Sequence, residues 1–309
     1  MNDLNWILPG LASPIVYAAV SIGDKHIISS RGLRLGGFYL FIGIAQLTVG
    51  IIILLLLGWP DAAAGAVWAS YAGGFLWGVG LMLMFMVLSR EEVSRVMPVW
   101  QTSPVFAALL ALWFLDESIA WYGWLAVLLV VAGAAGVSVG RTTGQRFAAF
   151  ALRPTFFILV AGAAVIGLAQ LMLKLGSEEL NVWHNMAFRG AGLFTSIALP
   201  WLKGTYIRHL VTWFRVRRNA GILLLTEGAG PFTGNLLLLL AIENGPVSLV
   251  SALLGTRPVF VLAGTLALGV VAKEFLNERL TRADLLVKTA STAAVVAGVV
   301  VISVGWGVT

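Results

Sequence analysis

Leu35–Leu57 reads LGGFYLFIGIAQLTVGIIILLLL, an apolar run without one charged residue. Runs of this kind recur along the chain, so that 11% of its 309 residues are charged and 59% are hydrophobic. A soluble domain carries roughly 25% charged residues, because something must meet the water. With a mean hydropathy of +0.93, this chain reads as one dissolved in lipid. There an unpaired backbone N–H or C=O is expensive, which leaves helices or a closed barrel. The runs are about 20 residues long and do not alternate, so helices are expected.

Breaks of charge, Gly and Pro divide the apolar sequence into ten candidate spans. They lie near 5–28, 35–57, 67–88, 93–115, 121–140, 154–176, 181–202, 219–242, 247–271 and 284–305. Within them VSRVMPVWQTSPVF at Val93–Phe106 returns as VSLVSALLGTRPVF at Val247–Phe260, identical at seven of fourteen positions. Acidic breaks follow both copies, Asp116-Glu117 and Asn277-Glu278, and VAGAAGVSVG at 131–140 is echoed by VAGVVVISVG at 296–305. Gly74 and Gly78 similarly anticipate Gly230 and Gly234, a spacing that lets helices approach closely. A period near half the chain marks a duplication. Five spans per half is odd, so the halves must lie in opposite orientations as an inverted repeat. The expected architecture is all-α and integral to the membrane, with ten transmembrane helices in two inverted five-helix repeats. Residues 1–140 form the first repeat, 141–153 a cytoplasmic connection, and 154–309 the second repeat.

One connection is long. In Lys203–Asn219, Ile207, Leu210, Val211 and Phe214 share one helical face flanked by basic residues and Trp213. This predicts an interfacial helix near 204–218 lying against anionic lipid. Connections after odd-numbered spans hold Arg31, Arg34, Arg90, Arg141, Arg146, Lys203, Arg208, Arg215, Arg217, Arg218, Lys273, Arg279 and Arg282. The termini and the even connections carry acids instead, such as Asp61, Asp116, Glu117, Glu178 and Glu179. By the positive-inside rule the odd connections face the cytoplasm and both termini face out. The first six residues lack the basic region of a signal peptide, so the first run is expected to remain as a helix.

With SPVFAALLALWFLDES and RPVFVLAGTLALGVVAKEFLNER each followed by a Gly-rich span, the layout resembles the EamA branch of the drug/metabolite transporter superfamily. The resemblance covers nearly the whole chain. It implies ten helices around a central cavity, alternating access, and outward movement of amino acids, other metabolites or toxic compounds. It also implies cytoplasmic termini, whereas the charge bias here puts them outside; a flipped member would present its cavity to the opposite side. The expected location is the inner membrane of a prokaryote.

An ionisable side chain inside a span is a candidate for function because insertion alone costs about 2.5–3.5 kcal/mol. Arg257 lies midway along the ninth span, before Pro258 and opposite Ser103 of the first repeat. It would either grip a carboxylate or phosphate or pair with an internal acid. Glu227 is that acid; with Pro231 and Asn235 it falls at i, i+4 and i+8 on one face, and it would alternatively carry a coupling proton. Tyr17, Ser21 and Asp24 share a face of the first span, and Gln170 one of the sixth. Gln101, Ser248 and Ser251 on the twin stretches, with Trp77 and Trp100 as aromatic walls, complete the expected substrate site. Lys25 and Lys174 sit near span ends and are expected to snorkel to the headgroups. Trp6, Trp59, Trp121 and Trp306 read as interfacial anchors.

Other chemistry finds little footing. There is no cysteine, and His26, His184 and His209 have no metal-ligand spacing. Walker A, G-x-S-x-G and H-E-x-x-H are absent, against an ATP-driven pump or a hydrolase. The net charge of +6 fits membrane topology better than nucleic acid, for which no motif speaks. The expected partners are therefore a small-molecule substrate and lipid, with no cofactor and no enzyme activity. The leading reading is a secondary transporter of amino acids or related organic anions. Organic-cation transport is its rival, since aromatic walls and Glu227 could hold an ammonium group. A non-transporting scaffold subunit is the rival from another class; intramembrane charges on several spans argue against it.

Overall fold

The computed structural model describes residues 5–30, 33–88, 99–114 except 101, 121–138, 154–264 except 258 and 262, and 290, 293, 294 and 297. No strand occurs among them. The helices are α1 (Ile7–Ser30), α2 (Leu35–Leu57), α3 (Ala64–Leu88), α4 (Ser103–Phe114), α5 (Trp121–Ser138) and α6 (Pro154–Gly176). They continue as α7 (Val182–Leu193), α8 (Gly204–Phe214), α9 (Arg217–Leu223), α10 (Gly230–Asn244) and α11 (Val247–Leu254). Five stretches among the described residues are long and apolar enough to cross a membrane: Ile7–Asp24, Leu35–Leu57, Ala64–Val87, Pro154–Gly176 and Arg217–Asn244. Leu55 and Leu56, 79% and 78% exposed, show what covers such helices: side chains of this kind need lipid around them.

Two of the spans are interrupted by wider π turns, and each interruption has the same local cause. Phe194–Ala198 follows α7 and Leu224–Ala229 joins α9 to α10. Each ends two residues before a proline, Pro200 or Pro231. Proline has no N–H to offer the carbonyl four residues back and its ring crowds that carbonyl. The backbone relaxes by bonding one residue further, Leu199 N–H to Phe194 O and Gly230 N–H to Leu225 O. For Pro231 the carbonyl four back belongs to Glu227, which places that acid inside the irregular turn.

The helices interleave. α3 lies against α6 and α7, α2 against α7, α10 against α1, and α4 against α6 and α11. Small residues permit the closest approaches. A Cβ on Gly74 would stand 1.9 Å from Arg189 O, so α3 and α7 meet backbone to backbone there, and one on Gly78 would stand 2.0 Å from Ser196 Oγ in the turn after α7. Gly230 and Gly234, their expected counterparts, face Val20 and Tyr17 of α1. Trp77 borders three of the apolar clusters that form the core and so marks their junction.

The connections sort into two groups. Ala63 N–H donates to Glu179 Oε2 at 2.7 Å, and His184 Nε2 lies 3.2 Å from Gly58 O, tying the α2–α3 connection to the α6–α7 connection. At the start of α7, Asn181 caps the helix, its side chain accepting from Trp183 N–H and His184 N–H. Elsewhere, Tyr206 of α8 and Trp201 pack over Gly36 at the start of α2. Among the described residues, then, the connections carrying Asp61, Glu178 and Glu179 gather together, and those near Arg34 and Lys203 do likewise.

Three expectations need correction. The helix foreseen near 204–218 ends at Phe214, with Arg215 and Val216 forming the bend into α9. Its apolar face is shared: Leu210 and Phe214 pack on the core, whereas Ile207 and Val211 are 40% and 51% exposed. Trp213 is buried rather than flanking, and so is Trp6, whose ring occupies the space left by Gly245. Lys174 does not snorkel. Its Nζ donates to Ile242 O at 2.8 Å, Glu243 O at 3.4 Å and Gly245 O at 3.3 Å, capping the carbonyl end of α10. Trp59 and Trp121 are exposed, as anchors would be. Trp306 lies outside the described residues, as does the tenth span apart from isolated residues, and nothing is described of the side chain of Lys25.

Candidate functional site

Where α1 meets α10, polar side chains from the two ends of the chain converge. The Tyr17 hydroxyl donates to Asn235 Oδ1, and Asn235 Nδ2 donates to Gln46 Oε1 of α2 at 3.4 Å. One turn further along α1, Ser21 Oγ donates to Tyr17 O at 2.8 Å. Arg257 approaches from beyond α11, its Nε donating to Ser21 Oγ at 2.8 Å and its Nη2 to the same oxygen. Its Cζ lies 5.4 Å from the Tyr17 ring centroid, within cation–π range.

The next residue on this face of α1 is Asp24, and its carboxyl lies within side-chain hydrogen-bond reach of Glu227. Arg257 is close enough to act on both acids. Asp24 Oδ1 and Glu227 Oε1 keep no hydrogen-bond partner among the described residues. The acid expected opposite Arg257 is thus one of two.

A second charged group lies on the Trp77 side. Arg189 of α7 is 1% exposed, with its Cζ 4.9 Å from the Trp77 ring centroid. Tyr17 is near enough to interact electrostatically with both arginines, so it stands between the two groups.

Tyr17, Ser21, Glu227, Asn235 and Arg257 therefore come together, and Trp77 adjoins them through Arg189 and Tyr17. Gln170 and Ser251 are buried on α6 and α11, and neither Gln170 Oε1 nor Ser251 Oγ has a partner among the described residues. Trp100 is elsewhere, buried in the apolar cluster against Gly162 of α6. Gln101 lies outside the described residues, and the side chain of Ser248 is likewise not described. Gln46, Asp24 as the partner of Glu227, and Arg189 are the additions. Arg189 carried a usable signal: it lies inside the seventh apolar span, where any charge is a candidate by the rule that singles out Arg257.

Residues 4–139 match the family model described as "EamA-like transporter family". No curated protein matches the chain by sequence. A solved structure described only as "Crystal structure of protein" is similar over 97% of this chain and 96% of its own, with a TM-score of 0.66 and 16% identity. That likeness speaks for a shared fold across nearly the full length.

Proposed function

Residues 4–139 make this chain a member of the EamA-like transporter family, within the drug/metabolite transporter superfamily, and we propose that it is a secondary transporter of small polar metabolites, amino acids or related organic anions above all. The observation that carries this reading is the meeting of Tyr17 and Ser21 from one end of the chain with Glu227, Asn235 and Arg257 from the other. Charged and amide groups enclosed among apolar helices are costly, and a solute pathway is what such groups serve in membrane proteins. Contributed by both halves, they would part and rejoin as the halves rock.

The packing supports two inverted repeats around this site. An exchange of spans 1–5 with spans 6–10 turns the α3–α6 contact into the α10–α1 contact, and leaves the α2–α7 and α4–α11 contacts in place. All of these are present. The grouping of acidic connections apart from basic ones agrees with termini on the outer side. In this reading Arg257 balances Asp24 and Glu227, and Gln170, Ser251 and Trp77 line the path beside them.

Movement of organic cations is the second reading, favoured by one observation: the Asp24–Glu227 pair is a ready acceptor for an ammonium group. Uptake into proteoliposomes separates the two. Labelled amino acids competed by carboxylates and not by their amides support anion or zwitterion transport. Competition by alkylammonium ions alone would reverse the assignment, and absence of uptake across both panels would count against transport of these solutes.

A further inference from the structure

Among the described residues, Arg257, Lys174 and Arg189 place cations among the packed helices, and two of the three are provided for. Arg257 has Ser21 and the two acids, and Lys174 has three carbonyls. Arg189 has neither. It is almost wholly enclosed, yet its Nε and Nη1 have no hydrogen-bond partner among the described residues. The ring of Trp77 draws its positive charge but cannot accept its in-plane N–H groups. Among the described residues, the ionisable group that acts on it is the hydroxyl of Tyr17, not a carboxylate. Asn185, one turn earlier on α7, is also buried with its Oδ1 unpartnered.

A buried guanidinium is normally matched by an anion. Arg257 already faces two acids, and among the described residues the buried cation left without an acid or a carbonyl is Arg189. We propose that Arg189, stacked on Trp77, is the anion anchor of the transport site, where the carboxylate of the solute docks against its free N–H donors. The proposal rests on the transporter reading and deepens it. Arg257 then neutralises acids inside the protein, Arg189 neutralises the passenger, and Tyr17 lies between them. The favoured solute carries one net negative group at this end.

Melting in lipid nanodiscs tests the anchor without requiring transport. Sodium acetate is titrated against sodium chloride at equal ionic strength, with acetamide as the neutral analogue and sodium phosphate as the other oxyanion. Acetate should raise the Tm of the wild type and of Arg208→Gln, a charge-loss control on exposed α8, while acetamide has no effect. The shift should vanish in Arg189→Gln and persist, weakened, in Arg189→Lys. In proteoliposomes the KM for a transported carboxylate should rise on the order of 100-fold in Arg189→Gln. An acetate shift that survives Arg189→Gln, no acetate shift in the wild type, or a shift by phosphate alone overturns the proposal. So does an Arg189→Met protein that melts higher and transports a carboxylate unchanged, as a residue that only fills space would. A wild type that carries only cations yet keeps an acetate shift dependent on Arg189 refutes the anion-transport reading and leaves the anion site standing.

Discussion

Arg257 reaches across 236 positions of sequence to Ser21, placing Nε 2.8 Å from the serine Oγ. The contact holds a cation from the second half of the chain beside Asp24 of the first half and beside Glu227. If the arginine serves those acids, Arg257→Gln strands them, and the loss should be about 3–5 kcal/mol. Adding Glu227→Gln removes one of the stranded groups and should restore most of the lost stability. Thermal melting of both single variants and the double variant decides it. Equal melting of Arg257→Gln and wild type would show that the acids need no counter-ion.

Tyr17→Phe removes the donor to Asn235 Oδ1 and leaves a buried acceptor unfilled. A cost of about 1–3 kcal/mol follows, visible as a lower Tm. Uptake should fall as well, because the same ring stands beside Arg257.

Gly74 and Gly65 lie on one helix and should respond oppositely to alanine. The new methyl at Gly74 would meet Arg189 O at 1.9 Å and force α3 away from α7, a loss of about 1–3 kcal/mol. At Gly65 nothing lies within 4 Å, and the gain in helix preference should be up to about 1 kcal/mol. Two melting curves suffice.

Pro231→Ala returns an N–H to the backbone opposite the Glu227 carbonyl and removes the reason for the wide turn. The expected variant melts no lower than wild type yet transports poorly, since a regular helix turns Glu227 away from Asp24. Undiminished uptake would show that the turn is incidental.

For topology, a C-terminal fusion at Thr309 to a reporter active only in the cytoplasm should stay silent, and one active only outside should report. The reverse pattern would place both termini in the cytoplasm.

Much of the helix map was legible because long apolar runs have few alternatives in lipid. The spans read at 35–57 and 154–176 coincide with α2 and α6. Glu227 and Asn235 were legible as a pair because Pro231 lies between them on one face. Partner choice was not. That Glu227 meets Asp24, or that Lys174 turns inward to the end of α10, depends on which helices pack together, and helical spacing within one span carries no such information. Trp6 was misread for a related reason: an indole near a chain end suits a membrane interface, but Gly245 provides a slot that suits it as well. Arg189, in HNMAFRGAG, lies inside the seventh span and is a candidate by its charge alone, but its enclosure by α2 and α3 comes only with the fold.

That enclosure bears on how the protein is made. α7 carries His184, Asn185 and Arg189 on twelve residues, all three of them buried, and it does not figure among the stretches apolar enough to cross a membrane unaided. Yet α2 and α3, which pack against it, are completed before residue 89, well ahead of α7, and are strongly apolar. The order of synthesis therefore builds the receptacle before its contents. During biogenesis α7 is expected to leave the translocation channel by partitioning onto waiting helices rather than into acyl chains, and to do so only after the first half has come to rest in the bilayer.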